Sequence, residues 1–402
     1  MKSSGNVIIV KSRLLIAGLA GGAILLLSQP VVYGAQSEEL RPALAAHAKA
    51  AILMDAGTGT VFFAKNEHAH LPIASVTKVM TMLLIYEAIE KGQVRMLDNV
   101  RVSDHAASMG GSQIYLKPGE IMVLSDLIKG IAMASANDAA VAAAEYIAGS
   151  ENNFVMKMNE KAQQLGLRDS HFVNTNGLPA PQHYSSAYDV AMISRELMVH
   201  DGVTKYTGAY SDHLRKNTSH PFWLVNTNKL VHFYQGMDGV KTGYTSESKF
   251  CLSASAKRGD LRLIAVVLGE PSSAIRNAEV VEMLNYAFSE YSAKTVYKKG
   301  QMVTMAPVSK GESEAVAGIA KRSITQLYKK GEPNPMGQVM TEVYPLKAPV
   351  KKGQVIGQIL VLQQGRTTAR VPLLAIADVK PVTWWEMLGR SLHKMFLFGV
   401  KE

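Results

Sequence analysis

The chain has 402 residues, enough for two domains with cores of their own, and its 47% hydrophobic and 19% charged content is ordinary for a folded protein. The formal net charge is +10, of which Lys2, Lys11 and Arg13 lie in the first 35 residues, a stretch with no Asp or Glu. A basic surface suits nucleic acid, an anionic membrane or an anionic wall polymer. With no dense Lys/Arg stripe interleaved with aromatics, no nucleic-acid partner is expected. Cys251 is the single cysteine, which excludes an internal disulfide, and no Cys/His cluster has metal-ligand spacing. Cys251 reads as a small buried residue of a strand.

The N-terminus has the anatomy of an export signal. A basic stretch through Arg13 precedes the apolar run Leu14 to Leu27, and Gln29-Pro30-Val31-Val32-Tyr33-Gly34-Ala35 offers cleavage after Gly34 or Ala35. The alternative is an uncleaved anchor. The run is short for a span of about 20 residues, which favours cleavage. Either way, residues 36 onward are expected to work outside the cytoplasm.

Residues 50–55 and 59–64 read as strands joined through Ala56-Gly57-Thr58. After Pro72, apolar residues recur at Val79, Met80, Leu83, Leu84 and Ile89 with helical spacing, and Gly92 ends that helix. Residues 125–148 predict a helical hairpin, with Ser125 and Asp126 as caps of the first helix and Asp138 opening the second. A helix over 151–165 follows. Ser186 then caps another, with Asp189 as its reciprocal partner. Strands over 249–257 and 261–269 flank the turn Arg258-Gly259-Asp260, and residues 272–290 predict a closing helix. Strands, a helical block, then strands and a helix imply one α+β domain, with the first and last strands sharing a sheet and the helical block inserted.

Beyond about residue 295, Lys299-Gly300, Lys330-Gly331 and Lys352-Gly353 punctuate short β-prone runs, so 296–380 reads as a smaller all-β domain. In the last segment, Val382 to Phe398, a helical projection places Trp384, Trp385, Met387, Leu388, Leu392, Met395 and Phe396 on one half. Glu386, Arg390, His393 and Lys394 fall opposite, with Leu397 and Ser391 as exceptions. Such a helix is expected to lie in a membrane interface rather than to span a bilayer. The competing reading docks it on the protein itself.

Ser-x-x-Lys occurs three times, at Ser75/Lys78, Ser246/Lys249 and Ser391/Lys394. Ser-x-Asn also occurs three times, starting at Ser4, Ser135 and Ser150, whereas Lys-Thr-Gly occurs once, at 241–243. Order and context separate signal from coincidence. Ser75 sits at a predicted helix start, with Lys78 on the same face. A serine hydroxyl needs a base within reach, and a lysine serves only where burial or a nearby cation lowers its pKa. A helix start also aims free N–H groups at a developing oxyanion. Ser135-Ala136-Asn137 falls in the break between two helices, from which side chains project into a cleft. Lys241-Thr242-Gly243 fits a substrate carboxylate: a fixed charge, a hydroxyl donor, and a glycine that lets an edge strand approach the ligand backbone.

In this order, Ser75-Val76-Thr77-Lys78, Ser135-Ala136-Asn137 and Lys241-Thr242-Gly243 resemble the three signatures of penicillin-binding proteins and serine β-lactamases. Their flanks, Pro72-Ile73-Ala74 before the first, Asp138-Ala139-Ala140 after the second and Asp238-Gly239-Val240 before the third, are similar to the low-molecular-mass D-alanyl-D-alanine carboxypeptidases. The resemblance covers nearly the whole chain: export signal (1–35), catalytic domain (36–295), β-rich domain (296–380) and amphipathic anchor (381–402). It implies that Ser75, deprotonated by Lys78, attacks a peptidoglycan stem ending in D-Ala-D-Ala, and that β-lactam antibiotics inhibit. It further implies an oxyanion hole from the N–H groups of Ser75 and Tyr244, proton relay by Ser135 and substrate positioning by Asn137. Lys241 and Thr242 would hold the terminal carboxylate, with Arg276 a further candidate unless it is a solvated helix arginine. His183-Tyr184, in a segment that recurs in the family, reads as a loop wall. His47, His68, His70, His105 and His171 are scattered, with structural roles. No cofactor and no metal are called for.

Two alternatives remain beside the carboxypeptidase. A β-lactamase on the same fold would use a loop glutamate for deacylation, and residues 166–185 contain none. A catalytically quiet wall-binding protein would have lost motif residues, and none is lost.

Overall fold

The computed structural model describes residues 44–386 and 388, apart from 217, 220, 333–337 and 364–365. The signal at 1–35 and most of the terminal helix therefore lie outside the described residues. A five-stranded antiparallel sheet runs in the order Val61–Lys65, Ala50–Asp55, Leu261–Glu270, Lys249–Arg258, Met237–Thr245. The first and last strands of the domain share this sheet as predicted. Ala50–Asp55 is buried at every position because the sheet is covered on both faces. With a side-chain period of two, Ile52 and Met54 join the core under the helical block. Ala51 and Leu53 instead join Val280, Met283 and Leu284 of the closing helix Ser273–Glu290.

The first strand turns on its own last residue. The Asp55 carboxylate accepts from the Gly57 and Thr58 N–H groups at 3.2 and 2.7 Å, and the second strand starts at Val61 rather than at 59. The helix Lys78–Glu90 runs through the middle of the helical block. Met82, Ile85 and Tyr86 are buried along with the predicted face, since Asn137–Ala148 and Ala187–Leu197 pack around it.

Two predicted caps are not formed. The helix Leu124–Lys129 starts after Val123 without a side-chain cap, so Ser125 and Asp126 lie within its first turn. Ser186 does cap its helix, accepting from the Asp189 N–H at 3.1 Å. The Asp189 carboxylate turns away, however, to the Asp169 N–H and the Ser170 hydroxyl, at 2.9 and 2.7 Å. Both departures arise because a tertiary donor or backbone partner outcompetes the local one.

A β-rich region follows from Tyr291, built around a six-stranded sheet with a core of its own. It is joined to the helical block by Arg322 on Glu196 at 3.0 Å and Lys299 on the Val199 carbonyl at 3.0 Å. At the C-terminus, Thr383 and Glu386 exchange hydrogen bonds as a capping box, beneath Trp384 and Trp385, which are 62% and 75% exposed.

Candidate active site

Three elements converge. Ser75 lies in a 3₁₀ turn, Ala74–Thr77, which runs into the helix that begins at Lys78. Lys78 is fully buried, and its Nζ meets three acceptors: Ser75 Oγ at 2.9 Å, Asn137 Oδ1 at 2.6 Å and the Asn176 carbonyl at 2.6 Å. Burial, reinforced by the Lys241 charge and opposed by Asp138, holds its pKa well below the usual lysine range. That geometry has a chemical reading. An ammonium donates to all three acceptors, whereas a neutral amine keeps two donors and one lone pair. The amide and carbonyl oxygens can only accept, so the lone pair is left for the Ser75 hydroxyl.

The second element is a break in a helix. Leu124–Lys129 continues into a π-helical turn, Gly130–Ala134, which ends at Ser135 in the left-handed region (φ 63°) before Asn137–Ala148 begins. Ser135 is 5% exposed. Asn137 carries the site's connections: Oδ1 to Lys78, Nδ2 to the Gly110 carbonyl at 2.7 Å, and its N–H to the Ser112 carbonyl at 2.7 Å. Asp138, expected only to open the helix, is buried and accepts from the Ile114 and Leu116 N–H groups at 3.1 and 3.0 Å.

The third element is the edge strand Met237–Thr245. Lys241 is buried, with Nζ on the Thr242 carbonyl at 3.0 Å, and burial together with the Arg276 charge pulls its pKa down to about 7. The Thr242 hydroxyl donates to Thr227 Oγ1 at 2.7 Å. Gly243 has a structural reason beside the one the sequence suggested. A Cβ there would lie 2.7 Å from the Ile73 carbonyl oxygen and 3.1 Å from the Val76 nitrogen. The glycine lets the strand close on the Ser75 turn, a close approach to the protein's own backbone. Tyr244 directs its ring outward, 57% exposed and 4.4 Å from Phe250. Arg276 is 6% exposed, with Nε and Nη2 on Asn277 Oδ1, and is no solvated helix arginine.

Sequence reasoning missed the supports. The Asn176 carbonyl is held against Lys78 by a loop in which Asn174 Oδ1 accepts from the Asn176 and Gly177 N–H groups. Gly177 (φ +83°) has no room for a Cβ, which would fall on the Ala74 carbonyl. His183 is less a wall than a brace: Nδ1 accepts from the Val173 N–H at 3.1 Å, which leaves Nε2 to donate to Thr77 Oγ1 at 2.8 Å. Burial pushes its pKa down to about 4. A backbone carbonyl and a φ angle have no side-chain signature, which is why only the Asn-rich spelling of this loop hinted at them.

The competing motifs lack this surrounding. Ser246 and Lys249 are exposed, Ser150 is an ordinary cap on the Asn153 N–H, and Ser391/Lys394 lies outside the described residues. Cys251 is buried, its thiol pushed up to about 11 by burial. His47, His68 and His105 pair with Glu279, Asp169 and Glu151, His70 also meets Asp169, and His171 bonds the Gln182 carbonyl.

The chain is similar to known proteins. Residues 35–272 match the D-alanyl-D-alanine carboxypeptidase family of S11 peptidases, and 291–381 match the C-terminal domain of penicillin-binding protein 5. The chain is 47% identical over 381 residues to the D-alanyl-D-alanine carboxypeptidase DacF of Bacillus subtilis, covering 94% of this chain and 97% of that one. It is 32% identical to DacC of Escherichia coli, over 95% and 97% of the two chains. Among solved structures, penicillin-binding protein 5 of Haemophilus influenzae matches with a TM-score of 0.64 at 30% identity, covering 85% of this chain and 99% of that one. The β-lactamase and wall-binding alternatives are thereby disfavoured. The chain belongs to the low-molecular-mass penicillin-binding proteins and is a serine-type D-alanyl-D-alanine carboxypeptidase of cell-wall metabolism.

Proposed function

We propose that the enzyme works through an acyl-enzyme on Ser75. The observation that carries this is the buried Lys78 amine, whose three neighbours include one hydroxyl and two groups that can only accept. Lys78 Nζ takes the Ser75 proton as Oγ attacks the carbonyl carbon between the two terminal D-alanines of a pentapeptide stem. The resulting oxyanion is held by the N–H groups of Ser75 and Tyr244. Ser135 passes a proton to the departing amine of D-alanine as the C–N bond breaks, and Asn137 positions the donor amide. Lys241, Thr242 and Arg276 receive the terminal carboxylate. Water then cleaves the ester, its proton passing by way of Lys78 to Ser75 Oγ as the C–O bond breaks, and the serine and the neutral amine are both regenerated. A β-lactam carbonyl enters the same path and stops at the ester.

Export fits the basic, then apolar, N-terminus, and the reading extends to a position on the outer face of the cytoplasmic membrane. Residues 1–35 serve as signal, 36–295 as catalytic domain, 296–380 as β-rich domain and 381–402 as peripheral anchor. The exposed Trp384-Trp385 pair above a capping box supports the last of these.

The test uses labelled penicillin and diacetyl-Lys-D-Ala-D-Ala with the wild type, Ser75→Ala and Lys78→Ala. Released D-alanine and a Ser75 adduct in the wild type alone are expected. An adduct that persists in Ser75→Ala would overturn the assignment.

A further inference from the structure

Two buried acids that the mechanism does not use lie next to Arg276. Glu270 ends the strand Leu261–Glu270 and is wholly buried. Glu279, also buried, stands three residues beyond Arg276 on the same face of the closing helix. Across the sheet Glu270 pairs with Phe250, the neighbour of Cys251, and Cys251 pairs with Gly243 of the Lys241-Thr242-Gly243 strand. The charges of Glu270 and Arg276 act on each other, and that of Arg276 acts on Lys241.

One oxygen of the pair is accounted for. Glu279 Oε1 accepts from the His47 N–H at 2.9 Å and meets His47 Nδ1 at 2.6 Å. Glu279 Oε2 and both Glu270 oxygens are buried and meet no N–H or O–H of another residue. Such atoms are costly in a folded interior. The two carboxyl groups are close enough for one proton to bridge them, which satisfies an oxygen of each and removes one of two like charges. Burial, then the bond to Glu279, pushes the Glu270 carboxyl up from its ordinary range. Glu279 is also raised by burial, but its bonds to Glu270 and His47 hold it below that range. The other groups that act on the pair are Lys65, Cys251 and Arg276.

This arrangement bears on substrate binding. Arg276 donates through Nε and Nη2 to Asn277 Oδ1, at 3.1 and 2.9 Å, and Glu270 does not bond it. An ionised Glu270 with no donor of its own would draw the guanidinium into an internal ion pair. A protonated one leaves it available. We propose that Glu270 is a positioning residue of the carboxylate site, and that the proton it shares with Glu279 keeps Arg276 free for the terminal carboxylate of the substrate. The inference rests on the reading that Arg276 receives that carboxylate.

The experiment compares the full-length wild type, Glu279→Gln and the double variant Glu279→Gln/Glu270→Gln on diacetyl-Lys-D-Ala-D-Ala at neutral pH. Glu279→Gln removes the acid that shares the proton and offers Glu270 an amide donor, so Glu270 ionises and engages Arg276. KM should rise roughly tenfold, the lower end of what a hydrogen bond to a charged group contributes, with little change in kcat. Adding Glu270→Gln removes the competing charge, and KM should return toward the wild-type value. A pair with a structural role alone would lose more in the double variant, not less. A KM unchanged in Glu279→Gln, or not reversed in the double variant, would overturn the assignment. Infrared spectra give a second readout should Glu279→Gln not fold. The wild type should show the carbonyl band of a protonated carboxylic acid at neutral pH, lost in Glu270→Gln, and absence of that band from the wild type would sink the shared proton. Failure of the underlying reading has a different signature: Arg276→Gln with a wild-type KM, or wild-type enzyme that releases no D-alanine.

Discussion

Replacing Gly243 by alanine tests whether the site depends on the closeness of two backbones. The added Cβ would sit 2.7 Å from the Ile73 carbonyl oxygen, 3.1 Å from the Val76 nitrogen and 3.2 Å from Ala74 Cβ, whereas ordinary contact begins at 3.4 Å. The first two neighbours are main-chain atoms of the turn that presents Ser75, and they are bonded to each other at 3.1 Å. No rotamer change can relieve the clash. The strand carrying Lys241 and Thr242 must instead move from the Ser75 turn by about 0.7 Å, the shortfall against that 3.4 Å. Misplacement of reacting groups by about 1 Å can cost on the order of 100-fold in rate, so a loss of roughly 10- to 100-fold is expected here. Overpacking of this kind costs about 1–3 kcal/mol of stability, which leaves the variant folded. The assay is the second-order rate of acylation by a fluorescent penicillin, with D-alanine release measured in parallel and circular dichroism as the control for folding. A folded variant that acylates within twofold of the wild type would refute the argument that Gly243 sets the distance between nucleophile and carboxylate site.

Two further predictions concern pH. His183 is held neutral, its pKa lowered from 6.5 to about 4, so its contribution to stability is complete above pH 6.5 and is lost as pH falls toward 4. Urea unfolding should show wild type losing about 3 kcal/mol more than His183→Gln over that interval; parallel pH profiles would contradict the buried neutral ring. Lys241 must be charged to hold a carboxylate, and Arg276 helps bring its pKa down to about 7. In Arg276→Gln the alkaline limb of kcat/KM should therefore move to higher pH, while the plateau falls through loss of a cation from the carboxylate site. A limb that stays in place would separate Arg276 from Lys241.

Much of this protein was legible without coordinates, for identifiable reasons. The strands at 50–55, 249–257 and 261–269 and the helices around them announce themselves through apolar period and glycine stops, which report local geometry directly. The order of Ser75/Lys78, Ser135/Asn137 and Lys241-Thr242-Gly243 survived two competing Ser-x-x-Lys matches because only one Lys-Thr-Gly exists to follow them. What the chain alone did not decide is which groups meet when segments far apart in sequence fold together. The Asn176 carbonyl that completes the Lys78 environment is 98 residues away from it, and the His183 brace on Thr77 lies 106 residues off. Asp138 keeps its place in the first helical turn, accepting from the Ala139 N–H, and in addition gains the Ile114 and Leu116 N–H groups, whereas Asp189 gave up its helix N-terminus for Asp169 and Ser170. Polar side chains near a helix start have local and distant partners of similar strength, and packing chooses between them. The sequence thus determined the chemistry available, a serine, two lysines and a glycine in order. The tertiary structure decided their protonation, their spacing and the backbone atoms that hold them, since burial and approach are properties of the folded chain alone.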